Sequence, residues 1–219
     1  METSTHTLPT GSDGVVALFH EATAAELAHG LTWYTDANRW CAQVARRHGL
    51  STRQVCGIVA ALSPRTEWGL NKRRAVQLIT TGDTHGFTDG RRKAQRILEG
   101  EHPDDVLGGP KVRAFYDCLA RPLESDSVVI DRHAFDATVG AVTNDDIRRR
   151  ILDRKGGYDA VASLYRHAAD TLGLRPHVVQ AIVWSVWRNR YGYFAGSQFT
   201  RPGTPEPGEL GPLDPSTTF

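Results

Sequence analysis

Helical periodicity is the feature that most limits what this chain can fold into. From residue 14 to about 191, apolar side chains recur at three- and four-residue spacing, and glycine or proline residues interrupt the pattern at intervals. This spacing puts apolar side chains on one face of an α-helix. No stretch alternates apolar and polar residues for more than a few positions, as a half-exposed β-strand would. The sequence therefore predicts an all-α fold.

Gly and Pro punctuation divides the periodic region into segments. The predicted helices cover 14–29, 31–48, 51–62, 69–80, 90–99, a short turn at 103–107, 111–120, 132–140, 143–153, 157–172 and 176–191. Ser51 and Asp131 are predicted N-caps, since their side-chain oxygens can accept from exposed amides of the first turn. Gly49, Gly100 and Gly173 stand where helices commonly end. The apolar faces predict a core that includes Leu18, Leu27, Val44, Val55, Ile58, Val59, Leu62, Val76, Leu78, Ile97, Leu98, Phe115, Leu119, Val161, Leu164, Ile182 and Val186.

Composition and length favour one globular domain. The chain has 219 residues, of which 40% are hydrophobic and 23% charged, enough for one core. Residues 1–13 are polar and aperiodic, and 196–219 are rich in proline and glycine, so both are predicted to be tails. The sequence thus predicts one helical domain over 14–195, which we expect to be a monomer.

Membrane and secretory classes are disfavoured. No apolar run approaches the roughly 20 residues that cross a bilayer, so no membrane partner is expected. The first residues lack the layout of a secretory signal, and the 3 cysteines contain no CxxC pair, which favours a cytoplasmic location. The net charge is only +1, so any nucleic-acid surface must be local.

Two motifs within 106–140 carry the chemistry. Gly108, Gly109 and Pro110 run directly into a helix at Lys111, where free amides and the helix dipole favour a phosphate. Further along, the apolar triplet 128–130 leads to Asp131 at a helix start. Packed neighbours restrict the rotamer and hydration of such a carboxylate, which suits proton transfer or charge stabilisation.

These motifs resemble those of the helix-hairpin-helix DNA glycosylases, the endonuclease III and 8-oxoguanine glycosylase superfamily. The matching elements are Gly109-Pro110-Lys111 and Ile130-Asp131-Arg132-His133. Segment 60–66, leading to Asn71-Lys72, resembles the family's loop that fills the space of an extruded base. Segment 181–191 resembles its last core helix. The similarity spans about 55–195 and implies a helix-hairpin-helix glycosylase-like fold.

The resemblance implies roles for particular residues. Asp131 matches the essential aspartate that stabilises the sugar cation or activates the nucleophile once a base is flipped. Lys111 matches the lysine that forms a Schiff base in bifunctional members, and His133 is a further catalytic candidate beside Asp131. The implied partner is DNA, in double-stranded form with one flipped base. Residues implied to contact it are Arg65, Trp68, Asn71, Lys72, Arg73, Gly108, Gly109 and Arg113.

The chain departs from the family pattern in two places. Its hairpin turn, from Leu107 to Lys111, is two residues shorter than the usual Leu-Pro-Gly-x-Gly-x-Lys. The four C-terminal cysteines that hold an iron–sulfur cluster in some members are missing, so no cofactor is expected. Histidine spacing gives no metal site. The short turn with the Ile-Asp-Arg-His segment is also similar to a divergent, phage-associated branch proposed to act in thymine hypermodification.

Each residue also has an ordinary structural explanation. Asp131 could serve only as an N-cap, and Lys111 could be a solvated lysine or a phosphate contact. His133 could be a buried polar group. The basic cluster 148–155 is interspersed with aspartates, which favours surface salt bridges. Helical spacing favours core positions for Trp33, Trp40, Trp184 and Trp187, whereas Trp68 could either stack on a base or pack.

Three functions follow from these observations. The first is a DNA glycosylase, with or without lyase activity. The second is a base-modifying transferase of the phage type, and the third is a DNA-binding module without catalysis. Release of free base, a mass increase on the base with an intact strand, or binding without chemistry would distinguish them.

Overall fold

The computed structural model describes residues 10–191, which form helices joined by short loops and contain no strand. The all-α prediction is therefore confirmed. The helices are α1 (Gly11–His20), α2 (Ala24–His48), α3 (Thr52–Leu62), α4 (Trp68–Thr81), α5 (Thr88–Leu98), α6 (Pro103–Val106), α7 (Pro110–Ala120), α8 (Arg132–Val139), α9 (Asp145–Leu152), α10 (Gly157–Leu172) and α11 (Pro176–Arg190).

Most predicted boundaries differ from the observed ones by one or two residues. Ser51 caps α3 in a capping box with Gln54, and Asp131 caps α8. Gly173 caps α10 in the left-handed conformation, and Gly49 and Gly100 also have positive φ. The segment 11–13, predicted to be tail, is the first turn of α1. The rest of that predicted tail before residue 10, and the tail 196–219, lie outside the described residues.

The predicted break at Gly30 is wrong. Helix α2 runs through Gly30, and the break lies at 21–23, where Thr23 and Glu26 form a reciprocal capping box. Gly30 is needed for close packing, because a Cβ there would lie 2.3 Å from Cγ1 of Ile182.

The described residues fall into two compact units. Unit 1 contains 10–33 and 128–191, and unit 2 contains 34–127. Helix α2 contributes residues to both. The single domain predicted over 14–195 remains a prediction.

Unit 1 is built from α1, α8, α10 and α11, which pack against one another, with α9 against α10. Its core contains the fully buried side chains Leu18, Phe135, Tyr165 and Trp187. Val128 and Ile130 are buried in the same core, which places Asp131 at its edge.

Helix α3 lies at the centre of unit 2 and packs against α4, α5, α6 and α7. Every residue of α3 from Val55 to Leu62 is buried, as expected for a helix covered on all sides. A Cβ on Gly57 would lie 2.7 Å from Cγ of Pro103, so glycine permits the close approach of α6. Among the predicted core residues of the two units, those that are only half-buried are Leu27, Val76, Leu98, Phe115 and Leu164.

No described helix is both long enough and apolar enough to cross a membrane.

Candidate active site

Asp131 lies half-buried at the start of α8, and both of its carboxylate oxygens accept hydrogen bonds. Oδ1 accepts from the backbone amide of Ala134 at 2.9 Å, as an N-cap does. Oδ2 accepts from the indole Nε1 of Trp184, on α11, at 2.8 Å. Two donors on different helices therefore set the orientation of this carboxylate.

The segment before Asp131 is held by Tyr158 of α10. The Tyr158 hydroxyl donates to the carbonyl of Val128 and accepts from the amide of Ile130, each at 2.9 Å. The side chains of Val128 and Ile130 are buried, so apolar packing and these two bonds fix the backbone that enters α8. On the other side, the buried Tyr165 hydroxyl donates to the carbonyl of Ala134 at 2.8 Å.

His133, two residues after Asp131 on α8, is buried and interacts electrostatically with the Asp131 carboxylate. Its ring meets the Trp184 indole edge to face, with centroids 5.7 Å apart. Burial lowers the pKa of His133 below its ordinary value. The Asp131 carboxylate raises this pKa, whereas the positive charges of Arg132 and Arg188 lower it further. The imidazole is therefore neutral at pH 7.

The hydrogen bonds of His133 assign its tautomer. Nε2 accepts from Nε of Arg132 at 3.2 Å, so the proton of the neutral ring belongs on Nδ1. Nδ1 is buried and has no partner among residues 10–191. His133, which was predicted as a catalytic candidate, is therefore a buried side chain close to Asp131. Its ring packs against Trp184.

Trp184 and Arg188 complete the site on α11. The Arg188 guanidinium lies over the Trp184 ring, 5.2 Å from its centroid. Helical spacing predicted Trp184 as a core residue, but it is only half-buried because its indole reaches Asp131 at the surface of unit 1. Arg188 was not predicted. Its spacing of four from Trp184 is the one sequence signal that links the two.

A buried ion pair supports the far end of α8. Asp136 accepts from Nη1 of Arg148 at 3.0 Å, and the two side chains are 3% and 13% exposed. The hydroxyl and amide of Thr143 also donate to Asp136. The salt bridging predicted for 148–155 is found at Arg148, which pairs with the exposed Asp145 at 2.6 Å. The same guanidinium also binds the buried Asp136, so Arg148 is mostly buried instead of lying on the surface. Arg149 and Arg150 are exposed.

The Gly-Gly-Pro-Lys turn opens α7 in unit 2. Gly109 is the N-cap with φ +76°, a conformation that favours glycine. Pro110 takes the first helical position and the Lys111 side chain is exposed. Arg113 is exposed, and its Nε donates to the carbonyl of Leu107 at 2.8 Å. This hydrogen bond stabilises the turn.

An open cleft of about 220 Å³ adjoins the turn within unit 2. Its walls include Leu62, Phe87, Gly108 and Val112. Lys93, also in the wall, pairs with Asp89 at 2.6 Å.

The loop before α4 contains the one non-glycine residue of 10–191 with positive φ. This residue is Arg65, with φ +54°, and its guanidinium lies 5.9 Å from the centroid of the exposed Phe87 ring. Nearby on α4, Trp68 packs edge to face against Trp40, 6.0 Å between centroids, and Lys72 lies over Trp40. Trp68 is thus packed, in a half-buried position.

Asn71 was predicted to contact DNA, and the structure contradicts this. Its side chain is 1% exposed and its Nδ2 donates to the carbonyl of Val59 at 3.0 Å. It is a buried link between α4 and α3. Its neighbour Arg73 is exposed.

The predicted catalytic residues fall in different units. Asp131 and His133 belong to unit 1 and lie together, whereas Lys111 belongs to unit 2. Within 10–191, no three His, Cys, Asp or Glu side chains are grouped as they would be around a metal ion.

Fold and site together define an all-α protein with a half-buried carboxylate, oriented by an indole and flanked by a neutral imidazole and two guanidinium groups. The chain belongs to a family of unknown function, DUF7178, whose model matches residues 1–191. No curated protein and no solved structure matches it.

Proposed function

We propose that this protein is a DNA-acting enzyme of the helix-hairpin-helix glycosylase type, in which Asp131 acts on a nucleotide flipped out of the duplex. The proposal rests on the sequence resemblance and on one observation, the way in which Asp131 is held. A carboxylate that serves only as an N-cap needs one amide donor. Asp131 has a second donor, the Trp184 indole on α11, which orients it beyond what capping requires.

The orientation of Asp131 suits cleavage of an N-glycosidic bond. As the bond between the sugar C1′ and the base breaks, its electrons go to the base and positive charge develops on the sugar. A fixed carboxylate stabilises that charge without having to reorganise. Water then adds to C1′ and gives its proton to Asp131, and the base takes up a proton from Asp131 or from solvent.

His133 supports Asp131 without acting on the proton itself. Its ring is buried and neutral, and it packs against the indole that binds Asp131. In this proposal His133 keeps Trp184 in place.

Lys111 is assigned to phosphate contact in this proposal. An imine-forming lysine is normally sheltered from water, whereas the Lys111 side chain is exposed on the first turn of α7. Exposed amides and a lysine after a glycine turn suit a DNA phosphate. We therefore propose a glycosylase without lyase activity.

The test is incubation with a panel of duplexes that each carry one modified base, followed by mass spectrometry of bases and nucleosides. We expect release of one free base. Asp131→Asn should keep most of the DNA affinity and lose roughly two to four orders of magnitude in rate. Asp170→Asn, an exposed aspartate of α10, is the matched control and should behave like wild type.

Other outcomes would contradict the proposal in distinct ways. A mass increase on a base with the strand intact would identify a base-modifying transferase. A protein trapped on DNA by borohydride, and lost in Lys111→Gln, would show that the lysine is a nucleophile. Full activity in Asp131→Asn would refute the role of Asp131.

A further inference from the structure

Helix α11, which carries the indole that binds Asp131, is held by the first part of α2 at two points. Residues 24–33 of α2 belong to unit 1, as do α8 and α11. The first point is Gly30, where a Cβ would lie 2.3 Å from Cγ1 and 2.9 Å from the backbone nitrogen of Ile182. A side chain at position 30 would therefore have to move the backbone of α11. Gly30 thus sets how closely α11 approaches α2.

The second point is the buried carboxylate of Glu26, which is 6% exposed. Its Oε1 accepts from Nδ2 of Asn189 at 3.0 Å, and its Oε2 accepts from Nη2 of Arg190 at 2.8 Å. Oε2 also accepts from the amide and the hydroxyl of Thr23, at 2.8 and 2.9 Å. A buried charge is stable only with its partners in place. The carboxylate that completes the capping box of α2 therefore also fixes the last turn of α11.

These two points lie on either side of Trp184 along α11. Ile182 and Asn189 are seven residues apart, about two helical turns, so they share one face of the helix. Trp184 follows Ile182 by two residues, a rotation of about 200° that brings its side chain almost to the opposite face. There its indole meets Oδ2 of Asp131 at 2.8 Å. The distance and rotation that α2 imposes on α11 therefore also determine where the indole lies.

We propose that Glu26 and Gly30 are positioning residues for Asp131. They hold α11 against α2 so that the Trp184 indole reaches the carboxylate. An N–H···O hydrogen bond keeps good geometry over a range of only about 0.5 Å, so a larger displacement of α11 weakens the bond between Trp184 and Asp131. The inference rests on the proposed function, since it gives both residues a part in the reaction at Asp131.

The indole N–H signal of Trp184 tests the positioning in ¹⁵N-labelled protein without DNA, and Trp184→Phe assigns the signal. In Glu26→Gln, which keeps the shape of the side chain and removes its charge, we expect the signal to move towards its position in Asp131→Asn. Asn189→Ala should move it in the same direction. This variant removes one hydrogen bond and keeps the pair of Glu26 and Arg190, so it provides the test if Glu26→Gln does not fold.

Tyr191→Phe is the matched control for this signal. It removes a hydrogen bond to the exposed Glu21 at the residue that follows Arg190. Because this bond involves neither Glu26 nor Gly30, the Trp184 signal should stay where it is in wild type.

Single-turnover kinetics separates positioning from a purely structural role. Glu26→Gln should lower the rate about three- to tenfold, because the bond between Trp184 and Asp131 is weakened and not lost, and DNA affinity should stay within about twofold of wild type. In a Trp184→Phe background the same change should cause no further loss, because the group that Glu26 positions is gone. Rates would be compared well below the thermal midpoint of each variant.

The outcomes distinguish this inference from the proposed function. If the Trp184 signal moves as expected but wild type does not act on DNA, the positioning of Asp131 stands and only the proposed function falls. A signal that stays unmoved in both Glu26→Gln and Asn189→Ala would overturn the inference and leave the role of Asp131 intact. A rate loss in Glu26→Gln that is equally large in the Trp184→Phe background would also overturn it.

Discussion

Trp184 donates its indole N–H to Oδ2 of Asp131 across 53 positions of sequence, at 2.8 Å. The bond joins the start of α8 to the middle of α11. It uses Oδ2 of Asp131, because Oδ1 already accepts the N-cap hydrogen bond from the amide of Ala134. Asp131 is therefore held as part of the tertiary structure of unit 1 as well as by its own helix.

Trp184→Phe should slow the Asp131-dependent reaction with little change in DNA affinity. A hydrogen bond to a charged group contributes about 1.5–3 kcal/mol, which corresponds to a rate loss of roughly ten- to a hundredfold if it is needed in the transition state. Single-turnover kinetics would measure it. Trp40→Phe is the control, since the Trp40 ring packs against Trp68 in unit 2. Equal rates in wild type and Trp184→Phe would show that the indole does not orient the carboxylate for catalysis.

Tyr158→Phe should displace Asp131 without unfolding the protein. It removes the hydroxyl that joins Val128 and Ile130, at a cost of about 1–2 kcal/mol in the free energy of unfolding. The Trp184 indole N–H signal should move towards its position in Asp131→Asn. Tyr191→Phe removes a hydroxyl bonded to Glu21 instead and should leave that signal unmoved. No movement in Tyr158→Phe would mean that packing alone positions Asp131.

Arg148→Ala should destabilise the protein strongly. It leaves the carboxylate of Asp136, which is 3% exposed, without its cation, and such a loss costs about 3 kcal/mol or more. The exposed pair of Arg166 and Asp159 gives the comparison, and Arg166→Ala should cost less than about 1 kcal/mol. Urea unfolding would measure both. Similar midpoints for the two variants would contradict the buried character of the Arg148 pair.

His133 should make the protein less stable as the pH falls. Burial lowers its pKa in the folded state, so the unfolded chain binds the proton more readily, and the free energy of unfolding decreases as the pH drops below about 6.5. In His133→Gln this decrease should be smaller between about pH 7 and 5, as read from urea unfolding. His167→Gln, at an exposed site, should keep the wild-type dependence. Identical pH profiles for wild type and His133→Gln would show that His133 does not contribute.

The helices and their caps could be predicted from the sequence because they depend on residues three or four apart. The spacing of apolar residues gave α3, α7 and α10 nearly to the residue, and Ser51 and Asp131 cap helices as predicted. The one misplaced break, at Gly30, arose because glycine weakens a helix in isolation, whereas in the folded chain it admits Ile182. The capping box of Thr23 and Glu26 was a local signal that could have located the true break.

Only the tertiary structure decided which polar residues are buried and what they bind. Asp131 and Trp184 are 53 positions apart, Arg148 reaches Asp136 from another helix, and Asn71 turns inward to bond Val59. The aspartate, arginine and asparagine residues among them are equally compatible with a solvated helix face. Their burial depends on which helices pack together, because a buried polar group is stable only where a distant part of the chain supplies its hydrogen-bond partner.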